Sequence, residues 1–238
     1  MLKKKSIALA LAASMLTLPA HAIEALNGWS GEGELGFSST SGNTDSETLN
    51  AKLGVGKAHG NWKHNAKIAV LKASDSGVDS ADSRVFTEKS EYRFAEHTFV
   101  FGRIKHEEDK FSGFDHQSVI AFGIGHLFIE NEIHRLEASA GIGYRDIEDD
   151  LGESTSEGVL DGEVKYQYVI SPSATFNQNV QVESGDANTY SKSETYLALK
   201  INGNLNAKLG YEVKHNSDVP AGVDKTDTMT TVTLVYGF

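Results

Sequence analysis

From Trp29 to the last residue, apolar and polar side chains alternate with a period of two, and no long stretch carries the 3.6-residue period of an amphipathic helix. Such alternation demands strands with one apolar and one polar face. Leu49, Ala51, Leu53 and Val55 alternate with Asn50, Lys52 and Gly54. Leu136, Ala138, Ala140, Ile142 and Tyr144 alternate with Glu137, Ser139, Gly141 and Gly143. The last run ends on Val232, Leu234, Tyr236 and Phe238. Twelve strands are predicted, at 29–39, 46–57, 62–72, 84–94, 98–106, 116–129, 134–145, 158–169, 174–183, 190–201, 205–215 and 226–238. Both faces are apolar in 98–106 and 116–129, so the pattern leaves their register open.

The connections alternate in size. His59-Gly60-Asn61, Ala95-Glu96-His97, Glu130-Asn131-Glu132, Ser171-Pro172-Ser173 and Asn202-Gly203-Asn204 read as tight turns. Ser74–Ser83, Glu107–Asp115, Asp146–Glu157, Ser184–Thr189 and Asn216–Lys225 read as longer polar loops. Short turns on one side and long loops on the other are the habit of a transmembrane β-barrel, with the turns in the periplasm. Pro172 and Pro220 both fall in connections, which suits a closed sheet whose every strand amide is needed. The expected fold is all-β: a twelve-stranded antiparallel transmembrane β-barrel.

The first 22 residues read as a removable leader. Lys3, Lys4 and Lys5 precede an apolar run from Ser6 to Leu18, and Ala20-His21-Ala22 is a small-x-small cleavage site. A single barrel domain over 23–238 follows. Its 216 residues leave 18 for each strand with its connection, and losing the leader lysines takes the net charge from −11 to −14. That charge argues against nucleic acid as a partner. The absence of Cys excludes disulfides and thiol chemistry.

The opening Trp29-Ser-Gly-Glu-Gly-Glu-Leu-Gly-Phe37, followed by Ser41, Gly42, Asn43 and Thr44, resembles the start of the salt-induced outer-membrane protein family. The ending Thr233-Leu-Val-Tyr-Gly-Phe238 resembles the signal by which outer-membrane barrels are recognised for assembly, with Leu234, Tyr236 and Phe238 at alternate positions. The resemblance implies a Gram-negative outer-membrane location, contact with lipid and lipopolysaccharide, and a barrel-assembly machinery as partner during biogenesis. It implies no catalytic residue. Read physically, Gly42 and Asn43 suit the positive φ of a hairpin turn.

If the apolar faces meet lipid, the polar faces line a lumen. The basic candidates are Lys63, Lys67, Arg93, Arg103, Arg135, Lys165 and Lys208, with Lys52, Lys89, Lys105, Arg145, Lys192, Lys200 and Lys214. The acidic ones are Glu137, Asp161, Glu163 and Glu212, with Glu32, Glu34, Glu91 and Glu194. Fourteen basic against eight acidic residues is a surplus of six positive charges. Two interiors fit: a narrow passage favouring small anions, or a filled lumen in which Arg135, Glu137, Glu163 and Lys165 pair across neighbouring strands. Glu107-Glu108-Asp109 and the acids between Asp146 and Glu153 read as solvated loops rather than a metal site. No cofactor is expected.

Two other classes compete with a passive channel or envelope-structural protein. One is a soluble periplasmic β-protein with an apolar ligand inside. The other is an outer-membrane hydrolase, with His106, His116, His126 or His134 as base and Ser112 or Ser118 as nucleophile; no nucleophile-elbow motif supports it.

Overall fold

The structure is a computed structural model that describes residues 28–40, 46–110, 114–149, 152–220 and 222–238. The leader, the Ser41–Thr44 turn and Ser112 lie outside the described residues. Twelve antiparallel strands follow in chain order: β1 Trp29–Thr40, β2 Ser46–His59, β3 Trp62–Asp75, β4 Val78–Ala95, β5 Thr98–Asp109, β6 Phe114–Glu130, β7 His134–Asp149, β8 Ser154–Ser171, β9 Ala174–Ser184, β10 Thr189–Lys200, β11 Leu205–Asn216 and β12 Thr226–Gly237. Each pairs with its neighbours in sequence, and β1 pairs with β12 to close the barrel.

The closing seam is the thinnest. Its register runs only from Glu32–Gly237 to Leu35–Leu234, whereas β1 and β2 are paired along the whole of β1. Below those pairs, the Gly31 amide donates to the Phe238 carbonyl at 2.7 Å and the Phe238 amide donates to the Gly31 carbonyl at 2.8 Å. The Phe238 ring occupies the space a side chain at 31 would need: a Cβ there would lie 2.3 Å from it.

The alternation sorts the two faces as a lipid-facing barrel requires. Among the described residues, eight apolar side chains are buried while thirty large ones are exposed, which inverts the soluble pattern. The outward belt includes Ile68, Phe122, Ile124, Ile142, Leu160, Val232 and Leu234. At the rim that carries the tight turns, Trp62 packs on Tyr92 at 4.9 Å, His134 stacks on Tyr168 at 4.9 Å, and the Lys57 ammonium lies over Trp29. Amphipathic rings of this kind favour a membrane–water boundary.

The two ambiguous runs resolve through glycine. Phe99 and Phe101 of β5 point inward and are buried, while Val100 and Ile104 point outward. The inward rings lie over their register partners Gly125 and Gly123, where an added Cβ would sit 2.1 Å and 2.6 Å from them. β6 turns Val119, Ala121 and Leu127 inward and Ile120, Phe122, Ile124 and Phe128 outward. Phe99, Phe101 and Leu127, with the small cluster of Val119, Ala121 and Val159, therefore form an apolar patch inside the lumen, which is why both faces read as apolar.

The long loops expected from sequence are mostly ladder. Ser74–Ser83 is nearly all strand, turned by Ser76 and Gly77 at φ 52° and 80°. Two successive positive φ values give a two-residue hairpin whose twist matches the strands. Likewise β5 runs on to Asp109, β7 to Asp149, and β8 begins at Ser154. Beyond the apolar belt the outward residues become polar, so alternation disappears from the sequence although the hydrogen-bonded ladder continues.

Candidate functional site: the barrel lumen

Strand alternation carries the basic candidates to the inner face, where Lys52, Lys89, Arg103, Lys105 and Lys214 meet carboxylates on strands three or more places around the barrel. Arg103 on β5 binds Asp161 on β8 and, at 2.8 Å, Glu183 on β9. Glu183 is also 3.7 Å from Lys105. Lys214 on β11 crosses to Glu107 on β5 at 2.6 Å. Nearer the turn rim, Lys89 on β4 reaches Glu163 on β8 at 3.0 Å, and Lys165 holds the same carboxylate at 2.9 Å. On the other half, Lys52 on β2 and Lys208 on β11 share Glu194 on β10, at 3.3 and 3.1 Å. Lys208 also binds Glu34 at 3.1 Å, and the Thr233 hydroxyl donates to Glu34 at 3.0 Å. Pairs between non-adjacent strands span the lumen itself.

The sequence reading is corrected on three counts. Arg135 binds its register partner Glu130 on β6 and also Glu137 on its own strand, whereas Lys165 binds Glu163 on its own strand rather than its register partner Glu137. The surplus of six positive charges also shrinks by at least five. Glu107, Asp109, Glu157, Glu183 and Asp227 face inward as well, each meeting a basic group or the cavity wall. Finally, the first acidic run is not a solvated loop: alternation sends Glu107 and Asp109 inside and turns Glu108 outside, where it binds Arg84 at 3.3 Å.

At the loop rim the interior is closed by chain. Arg145, fully buried, donates through Nε to Glu157 at 3.1 Å and also binds the Asn188 carbonyl. The Ala187 amide donates to the other Glu157 oxygen at 2.7 Å. The Asn188 side chain donates to Asn216 at 2.8 Å and accepts from the Ser217 hydroxyl at 3.2 Å. The β9–β10 connection, residues 185–188, is thus drawn inward and clasped.

A cavity of about 670 Å³ remains between the two ion-pair networks. Its wall holds Lys52, Lys63, Lys67, Lys89, Arg103, Lys165, Lys192 and Lys214 against Glu91, Asp109, Glu163, Glu194, Glu212 and Asp227. Seven of these cations have a carboxylate within 4 Å. Among the described residues, Lys67 is the wall cation that has none. Asn65, two residues before it on β3, and Asn50 and Thr48 farther along the wall supply further polar groups. Arg93 faces the turn rim in the same row as Glu91.

The hydrolase candidates lie on the outward face. His106 Nδ1 is 2.8 Å from the Ser118 hydroxyl, its register partner across β5 and β6. The same cross-strand imidazole–hydroxyl pair recurs as His64 with Ser90 at 2.6 Å, His126 with Thr98 at 2.9 Å and His215 with Thr226 at 2.8 Å. His134 meets the Tyr166 hydroxyl at 2.9 Å. His106 to Glu108 is 3.7 Å, beyond a hydrogen bond. A pairing repeated around the barrel is a sheet contact, and nothing distinguishes Ser118 as a nucleophile.

Comparison with known proteins agrees with the architecture. A family model described as "Protein of unknown function, DUF481" matches residues 33–238. The "Uncharacterized protein YdiY" of Escherichia coli (strain K12) is 28% identical over 215 residues, which is 86% of this chain and 82% of that protein. Among solved structures, an outer membrane channel from Pseudomonas putida F1 superposes with a TM-score of 0.54 at 9% identity, over 88% of this chain and 95% of that one. The NanC porin gives 0.51 at 10% identity, over 88% and 97%. At such identities the likeness carries the fold alone.

Proposed function

We propose that this chain, which belongs to the DUF481 family, is exported to the outer membrane and forms there a narrow, ion-paired channel that favours small anions. The observation that carries this reading is Lys67, an ammonium on the wall of a largely polar-lined cavity with no carboxylate at ion-pair distance among the described residues. Lys52 and Lys192 share that wall, but Glu194 and Glu212 already neutralise them. An unpaired cation in a confined polar space attracts an anion more strongly than the same charge on an open surface. The cross-lumen pairs and the clasped connection 185–188 restrict the passage to small solutes.

The exposed apolar belt supports a lipid surround over a soluble periplasmic state. The seat of Phe238 against Gly31 gives the terminal aromatic a structural role besides recognition by an assembly machinery. The salt link implied by the sequence resemblance belongs to the same proposal. Screening shortens from about 10 Å at 0.1 M salt to about 3 Å at 1 M, so ion pairs bordering the cavity loosen as salt rises.

Planar-bilayer recording tests the reading. The wild-type barrel should give small, anion-selective conductance, and Lys67→Glu should move the reversal potential toward cation selectivity. Cation selectivity in the wild type, or no conductance from either protein, overturns it.

A further inference from the structure

On the outward face at the loop rim, three metal-binding side chains converge away from the lumen. β6 reaches this rim through a bulge. Its ladder with β5 passes from Glu108–His116 to Asp109–Phe114, and its ladder with β7 passes from His116–Glu148 to Phe114–Asp149. Asp115 is the extra residue in both. A bulge suspends the strict alternation of a strand and re-aims side chains. The successive residues Asp115 and His116 therefore approach each other, with His116 Nδ1 3.5 Å from Asp115 Oδ2. The β7 register places Glu148 beside His116. One ligand atom from each of the three lies within 4.8 Å of the other two.

The surrounding groups define the set. Glu108, the partner of His116 on the β5 side, is engaged by Arg84 at 3.3 Å. His106 is occupied by Ser118, with its ring 5.9 Å from that of His116. Glu148 accepts a long contact from the Ser154 hydroxyl at 3.5 Å. No lysine or arginine comes within ion-pair distance of Asp115 or Glu148 among the described residues, so two carboxylates flank one imidazole without a balancing cation. One nitrogen and two oxygens suit a borderline divalent metal better than calcium or magnesium, which prefer all-oxygen shells. Zinc bonds of about 2.0–2.2 Å place tetrahedral ligand atoms about 3.3 Å apart. The Asp115–His116 spacing already meets that distance, and a rotamer change of the Glu148 side chain closes the third side.

We propose that Asp115, His116 and Glu148 form a three-ligand site for a divalent transition cation of the zinc class, tying the β6 bulge to β7 at the loop rim. The mature, untagged barrel in detergent, stripped with a chelator, is titrated with Co²⁺ as a spectroscopic probe and then with Zn²⁺. Visible absorption of bound Co²⁺ should grow to a single-site plateau and be erased by Zn²⁺. His116→Ala and Glu148→Gln should each weaken binding by at least about tenfold, while His126→Ala, an outward imidazole on the same strand, should leave it unchanged. Heat-modifiable gel migration verifies that each variant is folded. Absence of saturable Co²⁺ binding, or binding indifferent to both ligand substitutions, overturns the site.

Discussion

Removing the Arg103 guanidinium should cost the barrel more than any other single side-chain loss in the lumen. Asp161 and Glu183 both bind the same nitrogen of Arg103, and both are almost wholly buried. Two oxygens sharing one nitrogen lie within about 5 Å of each other; at an effective dielectric near 20, their repulsion is about 3 kcal/mol once the cation is gone. Lys105, 3.7 Å from Glu183, offsets only part of this because Glu107 engages it at 3.2 Å. The Arg103→Met variant should therefore lose about 3 kcal/mol, the lower end of the range for stranding buried charge. Adding Asp161→Asn and Glu183→Gln removes the stranded charge and should restore stability to within about 1 kcal/mol of the wild type. Equilibrium urea unfolding in detergent micelles, followed by Trp fluorescence, measures both. An Arg103→Met barrel as stable as the wild type would show that these carboxylates are hydrated, and the cross-lumen pairing argument would fail.

Two further outcomes follow from the rims. Deleting Phe238 removes two backbone hydrogen bonds from the closing seam, about 1–3 kcal/mol in total, and should lower the amount recovered in outer membranes; Gly31→Val, which drives a side chain into the Phe238 ring, should reproduce the loss on immunoblots of fractionated cells. Replacing Arg145 by Leu strands Glu157 and releases the Asn188 carbonyl, so the 185–188 connection should leave the lumen and bilayer conductance should rise, whereas unchanged conductance would mean that this connection does not limit passage.

The turn-rim ends of the strands were legible because apolar alternation persists up to turns such as Gly60-Asn61 and Pro172-Ser173. The loop-rim ends were not. Asp79, Asp82, Asp146 and Ser154 sit in ladder above the apolar belt, where both faces are polar and a period of two leaves no hydropathy trace. The inward cations were legible for the same reason that the belt was: lysines and arginines occupy the alternate positions flanking Ile68, Ile104 or Leu209. Glu183 could have been found, since it alternates with Gln181 and Asn179 on one face. Glu107 could not be separated from its neighbours Glu108 and Asp109 without the ladder that fixes its direction. Which strand lies across the lumen, and hence that Lys214 meets Glu107, is decided by closure and barrel size, to which no local pattern refers.

The short seam between β1 and β12 bears on how a barrel like this changes size. Every other pairing is between chain-neighbouring strands and forms as a hairpin, so it is indifferent to how many hairpins the chain contains. Only Glu32–Gly237 through Leu35–Leu234, with the Gly31–Phe238 exchange beneath, records the total. A duplicated hairpin appended at either terminus has to rebuild that one small junction and nothing else, while widening the circumference by two strands. A wider ring would pull apart both Lys89–Glu163 and Lys214–Glu107, because each pair crosses the lumen rather than running along the wall. Gain of a hairpin would thus convert a braced interior into an open bore in a single genetic step.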